Sequence, residues 1–255
     1  MKTIPRHPID LELAEERAEA NKGLLAELLE APSAELTVVL STARGYAGYL
    51  SVLPLEINLL CSSMKTGSRS AGAMFAAAGA GPTDTIHPGN WRTGWWMAQI
   101  VCDREAISQL AATPVDVLRR SSTRGDECQY LFVEALQAFE QRADDWSAKL
   151  RRAVDATDPA RVDLSDEEFV LNILVPEMEL LFRLANGEIE PFNETLHFAL
   201  ERHKKYWSRA SRKRDPDGFL ALGPIAIGGL ARRAGMPIEV QSEYLPKHLV
   251  EGACC

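Results

Sequence analysis

His197 and Glu201 stand four residues apart in the string LHFALERHKKYW at 196–207. On a helix that spacing puts an imidazole and a carboxylate on one face, as two ligands of a metal ion would be. Neither an H-E-x-x-H pattern nor a paired E-x-x-H accompanies them, and zinc needs three or four ligands. The expectation is therefore a hydrogen-bonded surface pair, with no metal and no cofactor. His203 repeats at helical spacing with Leu200 and Trp207, which suggests a satisfied, partly buried imidazole. Trp95 and Trp96, in NWRTGWWMAQIV at 90–101, join His197, Glu201 and His203 as residues suited to a small-molecule pocket between helices.

Other fragments imitate catalytic motifs without their logic. Ser62-Ser-Met-Lys65 matches S-x-x-K and Lys65-Thr-Gly67 matches K-T-G. The two overlap on one lysine, so they cannot approach a substrate from two sides. Gly79-Ala-Gly81-Pro82 lacks the Gly-Lys-Ser/Thr ending of a phosphate loop. No nucleophile–base–acid set can be assembled from neighbouring residues, and no catalytic residue is assigned. Cys61, Cys102, Cys128, Cys254 and Cys255 are odd in number, scattered and without a CxxC pair, which reads as reduced thiols.

Charge is unevenly placed. From Asp155 to Glu190 ten acidic residues face only Arg161 and Arg183. From Arg202 to Arg214 there are seven basic residues and no acidic one. Charge runs are ordinarily solvated faces. The acidic run is also the natural place to dock a basic partner, with Asp163, Asp166, Glu167 and Glu168 as the candidate contacts. The net charge of −8 disfavours nucleic acid, whose binding rests on neutralising phosphates.

The elements that must position these residues read as helices almost throughout. Leu11, Ala14, Ala18, Leu25 and Leu28 share a face behind Asp10 as an N-cap; Pro32 stops that helix and Ser33 caps the next. Residues 67–81 are nearly all Gly, Ala and Ser, which suits close helix–helix approach. Asp126 begins a helix in which Cys128, Phe132, Leu136 and Phe139 repeat. Ser165 and Glu168 match the capping box S-x-x-E, and Pro176 should kink or split the helix that this box opens. Asn193 begins the stretch that carries His203, and Gly223-Pro224 and Gly235 bracket a buried helix. Trp91 and Trp207 lie on apolar stripes and are expected in the core. Only Pro237–Val240 looks extended. The reading is all-α, an irregular stack of antiparallel helix pairs in a single domain over 1–255, with no sheet of three or more strands. At 46% apolar and 25% charged residues the composition is that of a globular chain. No signal peptide and no membrane span is recognisable, so a cytoplasmic protein is expected.

Several strings carry a resemblance: NWRTGWWMAQIVCDRE at 90–105, the Tyr130–Phe139 segment, LHFALERHKKYW at 196–207, DPDGFLALGPIAIGGLARRAGMPIEV at 215–240 and SEYLPKHLVEG at 242–252. Together they resemble the immunity protein 49 family, helical proteins encoded beside polymorphic toxins in bacteria, over roughly residues 80–252. The resemblance implies neutralisation of a cognate toxin domain, a nuclease among the candidates, by binding, and it supplies no site residues. The rival readings are an enzyme or small-molecule binder of a biosynthetic pathway on the same helical scaffold, and a scaffold or regulator without chemistry.

Overall fold

The structure is a computed structural model that describes residues 3–31, 35–54, 56–79 and 83–251. Asp10 begins α1 (Leu11–Glu30), its carboxylate accepting from the Leu13 N–H at 3.1 Å. The proposed stop at Pro32, the cap at Ser33, the turn at Gly81-Pro82, and Cys254 and Cys255 lie outside the described residues. α1 buries Ala14, Ala18 and Leu25 and packs on α2 (Leu36–Leu50), which packs on α3 (Ile57–Ala76), which packs on α4 (Pro88–Val101). The small residues of α3 permit that last approach. A methyl group on Gly67 would run into the Met97 side chain, and one on Gly94 would overlap Ala71.

Two short helices, α5 (Arg104–Ala111) and α6 (Val115–Arg119), lead to α7 (Glu127–Glu140), which packs on α8 (Trp146–Asp155). α7 buries Cys128, Phe132 and Leu136 as its period requires, with Phe139 half-buried. The next helix starts with α9 (Glu167–Phe169), widens into a π-turn at Val170–Leu174, and continues as α10 (Val175–Ala185). Pro176, which cannot donate to the ladder, sits in the first turn after the wide turn. α10 packs on α11 (Ile189–Trp207), and the buried α12 (Leu222–Arg233) packs on α4 and α10. Gly235, at φ 85°, follows α12, and α13 (Lys247–Val250) packs back on it. The buried apolar residues form one continuous cluster, in which Trp91 and Trp95 are stacked with ring centres 4.8 Å apart.

Three boundary expectations are corrected. The residue that caps α9 is Asp166, accepting from the Glu168 N–H, while the Ser165 hydroxyl accepts from Gln129. Asn193 lies one turn inside α11, because its amide is used elsewhere. Its nitrogen donates to the Ile189 and Pro237 carbonyls and its oxygen accepts from the Glu239 N–H, which fastens the extended 237–240 segment to the helix. The only sheet among the described residues is a parallel ladder of two short strands, β1 (Thr3–Ile4) and β2 (Gln241–Ser242), just beyond the segment expected to be extended. His7 locks this junction: it is 3% exposed, its backbone N–H donates to Tyr244 Oη at 2.9 Å, and its ring bonds Tyr244 Oη and the Lys213 carbonyl. Cys128 is free and buried, and burial pushes its thiol up to about 11. Cys61 and Cys102 are disulfide-bonded, against the expectation of reduced thiols. Scatter along the sequence says nothing about distance in the fold.

Candidate functional site

Arg92 is the one charged residue in an otherwise apolar or neutral α4, and it points inward. Its guanidinium lies 3.4 Å from Glu177 of α10, with the two side chains 9% and 5% exposed, and sits 5.6 Å above the Phe169 ring. Burial drives the Glu177 carboxyl up to about 7, against the opposing attraction of Arg92 and a hydrogen bond from the Trp96 indole. The pairing is incomplete. Arg92 Nε is buried and, among the described residues, completes no hydrogen bond. Such a group costs about 1–3 kcal/mol when left unmet.

Arg92, Trp96 and Glu177 form one wall of a cavity of about 370 Å³ between α4, α10, α11 and the start of α12. Also lining the cavity, Arg44 holds Asp217 at 2.8 Å, and burial raises the Asp217 carboxyl to about 6 despite that partner. His203 contributes from α11. Its Nε2 meets the Gly218 carbonyl at 3.0 Å, so that nitrogen carries the proton and Nδ1 is an acceptor. Desolvation depresses its pKa to about 4, and it stays neutral at ordinary pH. His87 caps α4 through Nδ1, which accepts from the Gly89 and Asn90 N–H groups, and burial and then Arg44 lower its pKa. The π-turn brings Asn172 and Ile173 to the rim, a placement such turns often serve.

The five residues expected to share a pocket do not all do so. Trp96 and His203 line this cavity. Trp95 is 1% exposed and stacked on Trp91 in the core, because neighbours on a helix point about 100° apart. His197 and Glu201 pair at 3.4 Å and line a separate shallow groove beside Thr3, Ile4 and Lys204. They lie six and two residues from His203, which turns them to roughly the opposite face of α11. Trp207, expected in the core, is half-buried and also lines the cavity. Arg44, Arg92, Glu177 and Asp217 were not anticipated. The available signal was a charged residue at an apolar position: Arg92 among the tryptophans, and Glu177 in the Leu-rich stretch after Pro176.

The acidic run is partly spoken for. Arg209 pairs with Glu168, Arg212 pairs with Asp166 and Glu168, and the Arg212 guanidinium stacks 4.0 Å from the Tyr206 ring centre. The basic and acidic runs thus fold onto each other. Asp163 and Glu167 remain exposed, with side chains unengaged among the described residues, and flank Leu164, which is 61% exposed. Asp126 holds this loop rigid. Its carboxylate accepts from the backbone N–H groups of Asp163, Leu164 and Ser165 at 2.8, 3.0 and 2.7 Å. Burial would raise the Asp126 pKa, but the Ser165 hydroxyl and these three donors outweigh it and hold the carboxyl below its usual value. The contribution is present above the ordinary carboxylate range and lost on acidification through it. Asp126→Ala should cost about 2 kcal/mol by orphaning the three donors, and amide hydrogen exchange at 163–165 should accelerate at least roughly ten-fold. Unchanged protection at those amides would show that Asp126 does not order the loop.

Among the described residues no group of three or more His, Cys, Asp or Glu is placed to hold a metal ion, and no helix is long and apolar enough to cross a membrane. The class defined so far is an all-α protein with one polar, partly unsatisfied cavity and a rigid acidic loop. The family model described as Immunity protein 49 matches residues 55–249, and the chain belongs to that family. The match begins further upstream than the resemblance read from the strings and leaves α1 and α2 outside it. No curated protein and no solved structure matches the chain.

Proposed function

We propose that this protein neutralises a cognate bacterial toxin domain by direct binding, and that the loop at 163–167 is part of the binding face. Membership of the immunity protein 49 family over most of the chain carries the reading. The net charge of −8 and the loop support it further, since a rigid acidic knuckle with an apolar tip suits a basic partner. A nuclease is the natural target, because an acidic inhibitor occupies the surface that otherwise holds phosphate, and the cytoplasm is then where inhibitor and toxin meet.

Asp163 and Glu167 are the probes of choice. Reversal at Asp166 or Glu168 would also break the pairs to Arg212 and Arg209. Co-expression with the toxin domain encoded beside it should restore growth. The double reversal Asp163→Lys and Glu167→Lys should slow association roughly ten-fold and weaken protection, with the melting temperature unchanged. Added salt should slow the association of the unaltered protein, since exposed charges are screened beyond about 8 Å at physiological ionic strength. Failure to protect against any adjacent toxin would end the reading. The rival reading, a small-molecule binder or enzyme, is favoured by a different observation, the cavity lined by Arg44, Arg92, Glu177 and Asp217.

A further inference from the structure

We propose that the cavity between α4, α10, α11 and α12 binds an uncharged aromatic molecule carrying a hydroxyl or N–H group, with His203 Nδ1 accepting that hydrogen. The proposal goes beyond toxin binding and does not depend on it.

His203 supplies the polar contact. It lines the cavity and is 6% exposed. Its Nε2 is committed to the Gly218 carbonyl at 3.0 Å, so in the neutral ring Nδ1 can only accept. Tyr244 packs edge-on against the ring, with centres 4.9 Å apart, and closes that side. Among the described residues Nδ1 has no hydrogen-bond partner, and unlike Arg92 Nε it is not sealed off by protein atoms. Desolvation keeps the ring neutral at ordinary pH. An acceptor held on a buried ring and open to a cavity is matched by a ligand that brings a donor.

The walls suit an aromatic body. Trp207, one turn beyond His203 on α11, is half-buried at the cavity, its ring centre 6.1 Å from that of His203. Gly218 makes this arrangement possible. A methyl group there would run into the Trp207 ring, so the same residue accepts from His203 and leaves room for the tryptophan. Phe169, Ile173 and Leu222, also half-buried, extend the apolar lining. The volume of about 370 Å³ falls within the roughly 300–1,000 Å³ of small-molecule sites.

Charge argues against an ionic ligand. Arg44 faces Asp217 at 2.8 Å and Arg92 faces Glu177 at 3.4 Å, so each cation at the wall already has its carboxylate. A ligand carboxylate would enter beside Asp217 and Glu177, and an ammonium beside Arg44 and Arg92. Neither would meet an unmatched opposite charge to offset its desolvation.

Calorimetric titration of the full chain near neutral pH with phenol, anisole, benzoate and benzylamine separates the possibilities. Phenol should bind at least roughly ten-fold more tightly than anisole, which keeps the ring and the oxygen but has no donor. It should exceed benzoate and benzylamine by a similar factor. Trp207→Ala, which removes an aromatic wall, should weaken phenol binding at least roughly five-fold. His203→Leu should bring phenol down to the level of anisole. If His203→Leu does not fold, the ligand comparison on the unaltered chain decides together with Trp207→Ala. No phenol binding at about 10 mM, anisole bound as tightly as phenol, a preference for either ion, or phenol affinity unmoved by Trp207→Ala would overturn the assignment. So would a folded His203→Leu that still prefers phenol to anisole.

Discussion

Replacing Arg92 with methionine should destabilise the protein by about 3–5 kcal/mol at pH 8, and by clearly less at pH 5. Removing one member of a buried ion pair leaves the other charge desolvated and unpaired, and that is what makes the loss large. Here the stranded group is Glu177, whose carboxyl already stands at about 7 with Arg92 in place. At pH 8 it must either remain charged without a partner or take up a proton at a cost. At pH 5 it is protonated in the native state of both proteins, so the penalty shrinks.

The sign for the unaltered protein is set by the same group. Its folded pKa lies above its ordinary value of 4.5, so the native state binds more protons across that interval. Stability from this group is full below 4.5 and is lost as pH rises through about 7, by about 3 kcal/mol. His203 works in the opposite sense. It is held neutral with a pKa of about 4 against 6.5, so stability from it is lost as pH falls through that range. The two partly cancel in a simple pH profile, which makes the variant comparison the informative one. Urea unfolding of the original protein, Arg92→Met and Glu177→Gln across pH should show the glutamine variant without the alkaline loss. An Arg92→Met midpoint equal to that of the original protein at pH 8 would mean that the pair is not buried.

Trp91→Ala should be comparably severe, at about 3–5 kcal/mol, through lost burial and the cavity left behind. The Trp91 side chain is fully buried, stacked on Trp95, and its indole N–H donates to the Leu110 carbonyl at 3.0 Å across to α5. For a chain of this size that loss corresponds to a fall in melting temperature of roughly 10 °C or more. Trp207→Ala should cost markedly less, because its ring is half-buried at the cavity mouth and already borders open space. Thermal unfolding of the two variants side by side tests the ordering. Equal shifts would place both rings in the same environment and contradict the packing.

Local physics was legible in the amino-acid sequence. Asp10 caps α1, the Gly/Ala/Ser stretch lets α3 approach α4, and Trp91 falls on the stripe that the core requires, each readable from residue type and helical period. These are choices made within a few residues, so sequence spacing carries them. Where a nearby residue was outbid by a distant one, the reading failed. Ser165 did not cap its helix because its hydroxyl went to Gln129, and Asn193 did not start α11 because its amide bridges to residues 44 and 46 positions away. The acidic and basic runs looked like two solvated faces, yet they meet across more than forty residues and partly neutralise each other. The cavity belongs wholly to tertiary structure. Arg92 and Glu177 come from different helices, and only their joint burial turns an ordinary arginine and glutamate into a buried pair in which the Glu177 pKa is raised. Desolvation and long-range pairing depend on which surfaces pack together, and helical periodicity records only which face of each helix turns inward.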